Sequence, residues 1–241
     1  MITKNTYFRW LAVVLFSAGV ILGTFLFGVM TWSDFEATLF DSLITEDSRI
    51  HTACPVIIGM DEVGKVKINI KNPLDTPIKN RIIFRSTDGT LSLINEIRER
   101  YDLEPGEKLD LEWTVESNDA VFNDRLILVK VRTDPTYPLD SKQGSCGVLV
   151  ADFLGLPGIV IFLLVVLASV ILMVAGISLW QVRNKPLSKK KNLVYRAMSA
   201  LIILITAGIF VSYFGWWLIG AILLIITILA IGGIIAYFIS A

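Results

Sequence analysis

Hydrophobic residues are distributed along this chain in two different ways. From Trp10 to Trp32 and from Phe153 to Val182 they form runs without one charged residue, and no charge follows Arg196 up to Ala241. Between Ile50 and Phe153 they alternate instead. In Val66-Lys-Ile-Asn-Ile-Lys71 apolar and polar positions swap with a period of two, and Leu109-Asp-Leu-Glu-Trp-Thr-Val-Glu116 sets four apolar side chains opposite acids and Thr. That period belongs to strands, whereas about 20 consecutive apolar residues make a helix long enough to cross a bilayer. Arg125-Leu-Ile-Leu-Val-Lys-Val-Arg132 and Gly147-Val-Leu-Val-Ala151 read as more deeply buried strands.

The first two apolar runs each suit one span, and the last, 45 residues long, suits two. Its break falls at Tyr213-Phe-Gly-Trp-Trp217, where Gly215 permits a tight turn and the aromatics suit a membrane interface. The pattern predicts transmembrane helices at 10–31, 157–181, 195–214 and 216–239. The alternating region is punctuated by Asn72-Pro73, Asp88-Gly89, Glu104-Pro105-Gly106, Asp134-Pro135 and Gln143-Gly144. Short strands separated in this way predict an antiparallel β-sandwich over 50–156. The first run is longer than the ~7–15 residues of a signal-peptide core and no A-x-A-like site follows it, so an uncleaved anchor is expected.

Charge adds an orientation. All 22 acids lie between Asp34 and Asp152, where only 14 cations accompany them, a net of −8. The other eight cations are Lys4, Arg9, Arg183, Lys185, Lys189, Lys190, Lys191 and Arg196, so the overall zero conceals two oppositely charged parts. Short cytoplasmic loops are rich in Lys and Arg. The expected arrangement is therefore a multi-pass protein of the plasma (inner) membrane with residues 1–9 and the basic loop 182–194 cytoplasmic, residues 32–156 extracytoplasmic, and both termini inside. Arg183, Lys185, Lys189, Lys190, Lys191 and Arg196 are read as topology determinants lying against lipid headgroups, each worth roughly 1 kcal/mol near an anionic surface. A dedicated lipid or partner site is the alternative, and nucleic acid is not expected as a partner.

Lys65-Val-Lys-Ile-Asn-Ile-Lys-Asn-Pro-Leu-Asp-Thr-Pro77, followed by Leu103-Glu-Pro-Gly-Glu-Lys-Leu-Asp-Leu-Glu-Trp113, resembles bacterial immunoglobulin-like sandwich domains of the cell-adhesion-related type. Those pair a strand ending in an N-x-x-D/G turn with a later L-x-P-G-E turn. The resemblance covers some 80 residues. It implies an immunoglobulin-like fold with scaffold or interaction roles, and no catalytic residues to carry over. The expected fold class is thus four transmembrane helices plus an all-β immunoglobulin-like sandwich ectodomain.

The two cysteines, Cys54 and Cys146, bracket nearly all the expected strands and form no C-x-x-C motif. In an oxidising compartment they are expected to form one structural disulfide, with free thiols or redox catalysis as the alternatives. Before the sandwich, 32–49 reads as a linking amphipathic helix. Ser33 and Glu36 fit a capping box, Phe35, Leu39, Phe40, Leu43 and Ile44 share one face, and Asp34, Glu36 and Asp41 lie opposite. That helix is expected to pack on the sandwich or on another protein.

Candidate chemistry is sparse. His51 is the only histidine, so a multi-histidine metal site is excluded, and a catalytic triad would have to be built around that one residue. Neither a G-x-x-x-x-G-K-[ST] phosphate loop nor a G-x-G-x-x-G fingerprint occurs. Apart from Arg196 at the start of 195–214, the expected spans carry no ionisable group of the kind that pumps and proton relays use. They do carry small residues four apart, Gly19 with Gly23 and Gly232 with Ala236, spacings that let helix backbones approach closely. No cofactor or metal is expected. The sequence points to a non-enzymatic accessory or structural subunit of a larger, bacterial membrane assembly, with other membrane subunits and the lipid bilayer as partners. The alternative is a stand-alone surface receptor or adhesion module binding through loops 74–77, 87–90 and 133–141, with Pro135, Tyr137 and Pro138 as the candidate contact.

Overall fold

The computed structural model describes residues 4–40, 48–134, 139–183 and 189–240. The chain order is α1 (Lys4–Leu39), β1 (Ser48–Arg49), β2 (Thr52–Ala53), β3 (Ile57–Ile58), β4 (Gly64–Lys71), β5 (Ile78–Asp88), β6 (Thr90–Leu103), β7 (Lys108–Val115), a 3-10 turn (Ser117–Asp119), β8 (Leu126–Thr133), β9 (Lys142–Val150), α2 (Gly158–Arg183), α3 (Lys189–Tyr213) and α4 (Trp217–Ser240). These fall into two compact units, one formed by Met1–Thr31 with Leu163–Ala241, the other by Trp32–Phe162.

The first unit is helical. Four stretches, Trp10–Leu39, Gly158–Val182, Asn192–Tyr213 and Trp217–Ala236, are long and apolar enough to cross a membrane. The break between α3 and α4 turns on Gly215, whose φ of +71° lies in the left-handed region open to glycine. Polar side chains and missing ones set the packing. Ser169 Oγ donates to the Gly19 carbonyl at 2.8 Å, and Thr31 Oγ1 meets Ser212 Oγ at 3.0 Å. A methyl group on Gly19 would lie 2.8 Å from the backbone of Ser169 and Met173, and one on Gly176 would meet Phe16. Such close approach brings the helix backbones into direct van der Waals contact.

The second unit is a sandwich of two sheets. One has the order β1-β9-β8-β5-β6, with β3 also pairing β9; the other has the order β2-β4-β7. Pairing is antiparallel, except that β1 and β3 run parallel to β9. The alternation of β4 is the alternation of its burial: Val66, Ile68 and Ile70 point into the core and the lysines point out. They face Ile82 and Phe84 of β5 and Ile127, Val129 and Val131 of β8. The ring of Trp113 on β7 stacks on Phe84 across the gap, with centroids 5.0 Å apart.

β8 is apolar on both sides because both sides are covered. Its other face presents Leu126 and Leu128 to Ala37 of α1 and to Phe40, which follows it. Here the structure corrects the expected linking helix. Instead of one helix ending near 31 and another starting at a Ser33 cap, α1 runs unbroken from Lys4 to Leu39. Nothing in Thr31-Trp-Ser-Asp34 terminates a helix; the capping signal permits a start and does not impose one. The buried face differs too. Ser33, Asp34, Ala37 and Phe40 turn inward, while Phe35 and Leu39 are 39% and 51% exposed. Residues 41–47, which include Leu43 and Ile44, lie outside the described residues.

Candidate functional site

Cys54 follows β2 and Cys146 lies in β9; their sulfurs are bonded, with the Cα atoms 6.4 Å apart. β2 belongs to the three-stranded sheet, but four residues later β3 pairs with β9 in the other. The chain therefore changes sheets at Cys54-Pro55, and the disulfide holds that crossover to the last strand.

The two quoted turns are joined by one side chain. Asn72 is fully buried, and its Nδ2 donates to the carbonyls of Thr76, Leu103 and Glu104 at 2.9–3.1 Å, while its Oδ1 accepts from Leu74 N–H. Its backbone pairs with Glu107 and Gly106. The N-P-L-D and L-E-P-G-E turns thus form one locked corner, a structural role for Asn72 that only the coincidence of the two motifs hinted at.

The end of α1 is seated by polar contacts. Gly147 N–H donates to Asp34 Oδ1 at 3.2 Å, and Lys130 Nζ donates to the Phe40 carbonyl at 2.8 Å. A cation at a helix C-terminus opposes the negative end of the helix dipole. Gly147 provides the notch: a methyl group there would lie 2.4 Å from the Ser33 carbonyl oxygen. The start of α2 is held similarly, with Glu62 Oε2 accepting from Gly59 N–H at 2.8 Å and from Gly158 N–H at 2.6 Å.

One exposed edge stands out. β6 is an outer strand, bonded only to β5, and its pairing slips at Thr87/Asp88. Within that irregularity Leu91 and Leu93 are 52% and 56% exposed, and Ile94, paired with Thr87, is 42% exposed. Farther along, Glu96 bridges Arg98 and Arg85. The bond to Arg98, followed by that to Arg85, holds its carboxyl below the ordinary glutamate range.

The other sequence candidates fall as follows. Gly19 and Gly23 sit against Ser169, Met173 and Ile205 of neighbouring helices. Gly232 has nothing within 4 Å of where a side chain would begin, and Ala236 is exposed, so among the described residues this pair has no packing partner. Arg183 ends α2, Lys189, Lys190 and Lys191 begin α3, and Arg196 is exposed one turn farther on; Lys185 lies outside the described residues, as do Pro135, Tyr137 and Pro138. His51 is exposed, and among the described residues no three His, Cys, Asp or Glu side chains come together as metal ligands would.

No protein-family model matches the chain, and no curated protein matches it. Among solved structures, 44% of the chain is similar to the CARDB domain of a Pyrococcus furiosus protein, at 10% identity and a TM-score of 0.33, covering 89% of that chain. A Paenibacillus cycloisomaltooligosaccharide glucanotransferase is similar at 11% identity and a TM-score of 0.33, over 45% of this chain and 14% of that one. A Listeria innocua β-glucosidase is similar at 17% identity and a TM-score of 0.30, over 45% of this chain and 16% of that one.

Proposed function

We propose that this chain is a non-enzymatic accessory subunit of a larger membrane protein complex, with an immunoglobulin-like ectodomain as its docking module. The observation that carries the reading is the β5–β6 hairpin, whose open edge and exposed Leu91, Leu93 and Ile94 offer both backbone hydrogen bonds and an apolar contact. An unprotected edge of this kind is a template for strand addition. Two further features support it. The order β2-β4-β7 facing β9-β8-β5-β6, with β3 parallel to β9, follows the strand arrangement of immunoglobulin-like sandwiches. The small-residue face at Gly232 and Ala236, without a packing partner among the described residues, suits a partner's helix. In this reading the four apolar helices span the plasma membrane, the basic segments and both termini face the cytoplasm, and 32–156 lies outside.

The test is cross-linking in native membranes followed by mild solubilisation, pull-down and mass spectrometry. A polypeptide recovered at constant stoichiometry, and lost when Leu91, Leu93 and Ile94 are replaced by Ser, is the expected result. Recovery of the chain alone would overturn the reading and leave a stand-alone binding module.

A further inference from the structure

Within the helical unit, α1 and α4 approach each other closely at one end. Near Gly220 they are in contact: a methyl group there would lie 3.0 Å from both Thr31 Oγ1 and Ser212 Oγ. About one turn along, a methyl group on Gly28 would be in van der Waals contact with Leu224, at 3.9 Å. Between α1 and α4 runs a groove of about 740 Å³, floored by Met198 and Leu201 of α3 and apolar in every lining residue except Ser17 and Thr24. From Val13 to Gly28 it is roughly 22 Å long at about 1.5 Å per residue, somewhat more than half of a ~30 Å hydrocarbon core.

We propose that this groove holds one acyl chain of an anionic phospholipid, its headgroup lying at the basic end of the helices. Shape argues for the occupant. The groove runs from the level of Val13 and Val194 and stops short of the Thr31–Ser212–Gly220 contact, so whatever fills it ends partway along the helices. An acyl chain does that; a transmembrane helix, about 10 Å wide and continuous across the bilayer, does not. Charge argues for the headgroup. The Val194 end of the groove is where α2 finishes at Arg183, α3 begins with Lys189, Lys190 and Lys191, and exposed Arg196 follows two residues after the lining Val194. No acid lies in any of these segments. Cations clustered at a membrane face attract anionic lipid. The proposal needs the helices to be in a membrane, but it does not need the chain to be a complex subunit.

The experiment uses the purified full chain in mild detergent, stripped of lipid and then offered phosphatidylglycerol or phosphatidylcholine with identical acyl chains. Native mass spectrometry reads retention. One phosphatidylglycerol per chain is expected, retained at least tenfold better than phosphatidylcholine. Ser17→Trp, which fills the groove, should lower retention at least tenfold. Val14→Trp, the same bulk less than one helical turn away but at a 57% exposed position outside the groove, should leave it unchanged. Equal retention of the two lipids, or equal retention by the two variants, would overturn the proposal. So would a photo-reactive side chain in place of Ser17 that captured a polypeptide rather than lipid in native membranes. Alkaline extraction separates the failures: a chain that stays in the membrane pellet but holds no lipid refutes this proposal alone.

Discussion

Removing the disulfide tests how the sandwich is held together. Cys54 and Cys146 are 92 residues apart. Cross-linking a loop of that length lowers the entropy of the unfolded chain by about 16 cal/mol/K, or about 4.6 kcal/mol at 25 °C, and native disulfides in small domains contribute about 2–5 kcal/mol. A sandwich of this size shifts its melting temperature by about 4–8 °C per kcal/mol. Replacing both cysteines by Ser should therefore lower the sandwich's melting temperature by roughly 10–30 °C. The location adds a second expectation. Because the bond secures the strand that changes sheets, amide exchange should speed up first in 52–58 and 142–150, before the β4–β7 and β5–β8 pairs open. Thermal unfolding of the full chain in detergent, with exchange resolved by mass spectrometry, reads both. A double variant that melts within 4 °C of the parent, with unchanged exchange at the crossover, would refute the reasoning.

Three further outcomes are expected. Gly147→Ala should destabilise the sandwich by about 1–3 kcal/mol in denaturant titration, since the new methyl meets the Ser33 backbone rather than a movable side chain; an unchanged midpoint would mean that α1 does not rest there. Asn72→Ala should cost about 2–4 kcal/mol, because it strips partners from buried backbone groups in two turns at once; a loss under 0.5 kcal/mol in the same titration would show that the corner is not locked by this side chain. Glu96, held below its unfolded value by Arg98 and Arg85, contributes stability that is present above the unfolded carboxyl range and is lost as pH falls through its lower folded value. The contribution is small at this partly solvated position, and Glu96→Gln should flatten the acid limb of a stability–pH profile slightly, whereas a steeper limb would contradict the assignment.

What the sequence disclosed followed from how many sides of each element are covered. The alternation in Val66–Lys71 is legible because β4 has one face in the core and one in water. The continuous run in Leu126–Val131 is legible as a buried strand because α1 covers its second face, although the sequence does not say what the cover is. β6 gives no such signal. At an edge, with most of its length exposed, Leu91-Ser-Leu-Ile-Asn-Glu-Ile-Arg-Glu-Arg100 has neither period, and only its pairing with β5 makes it a strand. The end of α1 misleads for a different reason. An apolar stripe predicts the buried face when the partner surface is apolar, but here the partner offers a glycine notch and a backbone N–H, and a carboxylate fits it better than Phe35 does. The disulfide partners follow from count and compartment, while the sheet change that they secure does not.

Helix α4 brings the two proposals together. Its sequence is almost uniformly apolar, so composition alone assigns it no preferred face. In water such a helix would be driven inward, but in lipid apolar surface has no reason to leave its surroundings, and association depends on close packing and hydrogen bonds. α4 makes its tightest approach near its beginning, where Gly220 meets Thr31 and Ser212, and is still buried at Thr227. Toward its end two faces remain. Ile228, Ile231 and Ile235 line the groove, whereas Gly232 and Ala236 lie about a quarter-turn farther around the helix at 3.6 residues per turn. The first face is bulky, concave with its neighbours and next to cations, features that suit a flexible chain carrying an anionic head. The second is small and flat, which suits another helix. Lipid in the groove would brace α4 from inside and leave the glycine face free to be presented to a partner, so the two occupants would complement one another rather than compete.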